Sequence, residues 1–98
     1  MRAEEVIQKV SGICKDFGAK EVILYGSRAK GTARERSDID IAVSGVKNFD
    51  ELVEEVEKLP TLFSVDIVNM DTCKNQLLLE DIRQYGREII NGGYPSDT

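Results

Sequence analysis

The stretch Val22–Val43, VILYGSRAKGTARERSDIDIAV, decides the fold. The apolar run Val22-Ile23-Leu24-Tyr25 delivers the chain to Gly26 and Ser27. A basic turn then leads into a second run, in which Asp38 and Asp40 alternate with Ile39 and Ile41. Successive side chains of a strand point to opposite faces, so Asp38 and Asp40 are expected on one face and Ile39, Ile41 and Val43 on the other. Val22–Tyr25 is apolar on both faces, the pattern of an interior strand covered on two sides. Only eleven residues separate Gly26 from Asp38, fewer than a parallel crossover uses, so the two strands are expected to run antiparallel and to bring Gly26 and Ser27 close to Asp38.

Two carboxylates side by side on a half-buried strand repel unless protonation or a cation relieves them. Magnesium suits the second route, because it takes carboxylate oxygens together with substrate phosphates. Gly26 allows a sharp turn and lets an anion approach backbone amides, and Ser27 adds a hydroxyl at a possible helix start. Arg28, Lys30, Arg34 and Arg36 against the single Glu35 give the turn a local charge of +3 in a chain of net charge -5. A basic island in an acidic protein points to an anionic ligand.

Plainer readings stand beside these. The basic residues fit a solvated loop, Gly26 an ordinary strand-ending turn, and Asp38 a turn residue closing the loop at Ser37. Asp40 fits no such role, since it lies inside an otherwise apolar strand. Gly26 and Gly31 also have the glycine spacing of a P-loop, but Thr32 follows Gly31 where that motif needs a lysine to reach the outer phosphates.

Outside this stretch, Val6, Ile7, Val10, Ile13, Cys14 and Phe17 recur at helical spacing over Ala3–Phe17, with Gly18 as terminator. Arg28–Ala33 is expected as a short helix or turn. Asn48 with Glu51 resembles a capping box for a helix that buries Phe49, Leu52, Val53, Val56 and Leu59 and stops at Pro60. Thr61–Val68 is expected as a third strand, with Phe63, Val65 and Ile67 on one face and Asp66 on the other. Asp66 is then either a solvated edge charge or a third site carboxylate. Asp71 is expected to cap a last helix running to about Gln84, with Leu77, Leu78, Ile82 and Tyr85 toward the core and Gly86 ending it. Arg87–Ile90 is expected as a short final strand. The domain is expected to span residues 1–91, and residues 92–98 carry little that could pack and form a flexible tail.

At 98 residues one domain can bury roughly 60 to 70% of its unfolded surface. No stretch approaches the roughly 18 apolar residues of a membrane span, so a cytoplasmic protein is expected. Histidine is absent, and Cys14 and Cys73 lie far apart, which excludes zinc sites and Ser-His-Asp catalysis and leaves reduced, packed thiols. An isoelectric point near 4.7 argues against general binding to nucleic-acid backbones, which need a broad basic surface.

Gly26-Ser27, ten residues, then Asp38-Ile39-Asp40 resembles the signature of the polymerase-beta-like nucleotidyltransferases, and the flanking sequence resembles their minimal prokaryotic members. The resemblance is continuous from Leu24 to Val43, and weaker around Asp66 and from Leu78 to Tyr85. It implies an α+β, two-layer nucleotidyltransferase fold, a mixed β-sheet with helices packed on it. It implies magnesium-dependent transfer of a nucleoside monophosphate, AMP from ATP, to a hydroxyl. Asp38 and Asp40 would hold the nucleotide-bound ion, with manganese as a substitute, and all three aspartates a second ion that lowers the pKa of the attacking hydroxyl. Asp66 would act as general base. Gly26 and Ser27 would grip the terminal phosphates, and Arg28 or Lys30 would steady the leaving pyrophosphate. Asn69 stands where relatives often carry another acid.

Larger relatives append an acceptor-binding domain, for which 98 residues leave no room, so the acceptor is expected on another molecule. The minimal members are similar to the antitoxin half of toxin-antitoxin pairs, whose partner is a helical HEPN ribonuclease neutralised by binding or by adenylylation of a tyrosine. That is the function the resemblance implies, and a homo- or hetero-oligomer is compatible with it. The alternative is a non-catalytic nucleotide- or partner-binding module that works by complex formation alone.

Overall fold

The computed structural model describes residues 2–31 and 38–89. Eight elements follow in order: α1 (Ala3–Asp16), β1 (Glu21–Tyr25), α2 (Ser27–Lys30), β2 (Ile39–Ser44), α3 (Phe49–Glu57), β3 (Val65–Asn69), α4 (Gln76–Tyr85) and β4 (Arg87–Glu88). The strands form one mixed sheet in the order β3-β2-β1-β4. β1 pairs antiparallel with both β2 and β4, as its short connection to β2 requires, and β2 pairs parallel with β3 across the α3 crossover. Arg34, Glu35 and Arg36, and the segment from Ile90 onward that includes the expected tail, lie outside the described residues.

The period of two in β1 and β2 gives the sheet two apolar faces. Val22, Ile39, Ile41 and Val43 meet Val6, Val10 and Cys14 of α1 and Leu52 and Val56 of α3 in the main core. Ile39, Ile41 and Val43 are fully buried, and each such side chain contributes about 1.5–3 kcal/mol. On the other face Ile23, Tyr25 and Ala42 pack with Met70 and with Ile82 of α4. Helices therefore pack on the sheet as expected, and α4 adds a partial third layer.

Several boundaries differ from those expected. The chain preceding β3 turns rather than extends: the Phe63 amide donates to Thr61 Oγ1 at 3.1 Å, and Leu62 is 93% exposed. The last helix is capped by Asn75, whose Oδ1 accepts from the Leu78 amide at 3.1 Å. Asp71 instead accepts from the Gly45 amide at 2.8 Å and ties the end of β3 to the turn after β2. α4 turns Leu78, Leu79 and Ile82 to the sheet, whereas Leu77, beside that face, and Tyr85, at the helix end, both expected in the core, are 78% and 48% exposed. Asn48 caps α3 as expected, accepting from the Glu51 amide at 3.3 Å. Gly86 follows α4 with an ordinary φ of -66°. A Cβ there would meet the Ile82 carbonyl oxygen and Ile23 Cγ2, so glycine is required for close approach of α4 to β1.

Candidate active site

Pairing register builds the site. Tyr25 is the partner of Asp40 across β1 and β2, and Asp40 is the partner of Asp66 across β2 and β3. The three residues form a row across the sheet on the face that α4 partly covers. Asp38 is exposed and lies just before β2, two residues from Asp40.

Asp40 carries the electrostatic signature of the site. Burial first, then the charges of Asp66 and Asp38, push its carboxyl above the ordinary value, and the Arg28 guanidinium partly opposes them. Among the described residues no side chain donates a hydrogen bond to it. Tyr25 forms the floor. Burial, followed by the charges of Asp40, Asp66, Cys73 and Asp81, pushes its phenol up to about 12.

Gly26 stands against the Asp40 carboxylate. Its φ of 76° and ψ of -153° lie in a region essentially reserved for glycine. A Cβ would stand 2.6 Å from Asp40 Oδ2, so both the turn and the nearness of the carboxylate demand the bare Cα. Ser27 opens α2, which is anchored by the buried Ala29. The two basic residues of α2 diverge. Arg28 lies 5.1 Å over the Phe63 ring, whereas Lys30 makes a 3.0 Å ion pair with Asp81 and sits 4.9 Å over the Tyr85 ring of α4. Gly26 thus stands against the Asp40 carboxylate of the row, and the charges of Asp38 and Arg28 reach it, while Lys30 is held against α4.

Among the described residues no three acidic or thiol side chains close into a finished cation cage. What is present is an open, oxygen-only donor set with an under-bonded, mutually repelled carboxylate at its centre. Such a set fits magnesium, which binds through one or two carboxylates and completes its shell with waters and substrate phosphates. Asn69, whose Oδ1 accepts from the Asp71 amide at 3.0 Å, ends β3 and adds no charge. The sequence reading assigned Tyr25, Phe63 and Asp81 no role at the site: the first needs the strand register, and the others are placed by contacts between elements distant in sequence.

The chain matches the family described as polymerase beta, nucleotidyltransferase, over residues 8–92, and it belongs to that family. Two Methanocaldococcus jannaschii proteins provisionally named protein adenylyltransferases are similar to it. One is 33% identical over 89 residues, covering 83% of this chain and 88% of that protein. The other is 32% identical over 75 residues, covering 76% and 74%. Among solved structures, a toxin-antitoxin complex with AMP-PNP superposes with a TM-score of 0.69 at 24% identity, over 87% of this chain and 73% of that one. A Sulfolobus solfataricus protein provisionally described as a nucleotidyltransferase gives 0.55 at 18% identity, over 90% and 79%. These likenesses show the fold. No helix among the described residues is long and apolar enough to cross a membrane.

Proposed function

We propose that this nucleotidyltransferase moves AMP from ATP to a hydroxyl on a partner protein, with magnesium held by Asp38, Asp40 and Asp66. The observation that carries the reading is the row in which Asp40 faces Asp66 beneath Gly26. The provisional naming of two relatives as protein adenylyltransferases supports a protein acceptor. The toxin-antitoxin complex with AMP-PNP supports a partner of the toxin class, for which a helical HEPN protein is our candidate. Cys14 is packed in the core and Cys73, expected to be packed too, is only half-buried, but both are free thiols, which supports a cytoplasmic setting.

In this reading the amides of Gly26 and Ser27, with the Ser27 hydroxyl, hold the terminal phosphates, and Arg28 balances the charge of the departing pyrophosphate. Asp66 takes the proton of the acceptor hydroxyl. The acceptor oxygen attacks the α-phosphorus as the bond to the bridging oxygen breaks, so AMP is esterified and pyrophosphate leaves. Bound ions would supply charge neutralisation and acidify the acceptor hydroxyl. Incubation of the chain and its co-purified partner with magnesium and ATP labelled at the α-phosphate should label the partner, and Asp66→Asn should abolish the label. A tight partner left unlabelled by the wild type would favour a module acting by complex formation alone.

A further inference from the structure

We propose that Asp81 is a positioning residue for the nucleotide: through Lys30 it fixes α2, and with it the Gly26–Ser27 turn. The inference rests on the reading of that turn as the phosphate site. α2 has only four residues, and a single turn of helix is not stable by itself, because nucleation fixes several dihedrals for its first hydrogen bond. That bond runs from the Lys30 amide to the Gly26 carbonyl at 3.1 Å, so the residue that closes α2 is also the one gripped by α4. The Lys30 ammonium is 3.0 Å from Asp81 Oδ1 and 4.9 Å over the Tyr85 ring. Asp81 stands on firm support, since the adjacent Ile82 is buried beneath the sheet and Gly86 lets the helix end press against Ile23. The far end of the phosphate turn is thereby tied to the sheet through a second route.

The sign of the effect separates positioning from simple charge. Asp81 is one of the carboxylates whose field reaches Tyr25, so deleting its charge should, by electrostatics alone, favour a triphosphate. Positioning demands the opposite. In calorimetric titration of the full chain with ATP and magnesium, at a temperature where circular dichroism shows every variant folded, Asp81→Asn should weaken binding by about fivefold or more, and Asp81→Glu should restore it to within about twofold. Unchanged or tighter binding by Asp81→Asn overturns the proposal. Hydrogen exchange without nucleotide gives an independent arm: the Lys30 and Gly31 amides should exchange faster in Asp81→Asn than in wild type, and equal rates overturn the positioning whatever the nucleotide does. A wild type that fails to bind ATP with magnesium would overturn the phosphate-site reading, and the proposal with it.

Discussion

The Asp40 carboxylate lies so close to Gly26 that a Cβ on the glycine would stand 2.6 Å from Asp40 Oδ2. Turn and carboxylate are therefore one unit, in which the acid occupies the space a side chain would need.

Gly26→Ala should destabilise the protein by about 1–3 kcal/mol, from the forced positive φ together with the contact. Urea unfolding checks this. In an Asp40→Ala background the same substitution should cost less, because the contact is gone and only the backbone strain remains. Equal costs in the two backgrounds would contradict the close approach.

Asp40 should weaken the empty fold at neutral pH. Its folded-state pKa is raised above the ordinary 3.8 by burial and by Asp66 and Asp38. Below the ordinary value it is protonated in both states and costs nothing. As pH rises through the raised value, the folded state is increasingly penalised for carrying the charge. Asp40→Asn should accordingly melt at or above the wild-type temperature in chelator, with a gain that is absent below the ordinary carboxylate value, grows as pH rises above it, and levels off above the raised one. A mutant melting several degrees lower at the upper pH would instead make Asp40 a structural acceptor.

The two thiols should differ sharply in reactivity. Burial pushes the Cys14 thiol up to about 12, while Cys73 is half-buried in the segment before α4. At about pH 8 the native protein should react quickly with a disulfide reagent at one thiol only, and Cys73→Ser should remove that reaction. Two fast thiols in the folded protein would show that the α1 packing opens readily.

Much of this was legible in the alternation of β1 and β2. Their pattern fixed which residues meet α1 and α3, and the short connection fixed their antiparallel pairing. Asp66 stood out as a charge within an apolar run, but only the β2–β3 register places it beside Asp40. The last helix was harder, because Asp71 and Asn75 are both capping residues at its approach. The choice between them falls to a tertiary contact, the Asp71 carboxylate with the Gly45 amide. The third strand began late because Thr61 can satisfy the Phe63 amide with its own hydroxyl. Lys30 had the charge of a phosphate ligand, but its partner lies about fifty residues on in sequence and only folding brings them together.

The most direct measurement is calorimetric titration of ATP into wild type, Asp40→Asn and Asp66→Asn, each with magnesium and with chelator. Saturable binding by wild type with magnesium, weakened by at least about tenfold in chelator and in both mutants, is the expected result. Equal affinity in chelator, or mutants that bind as tightly as wild type, would contradict a metal-dependent nucleotide site on the Asp40–Asp66 row.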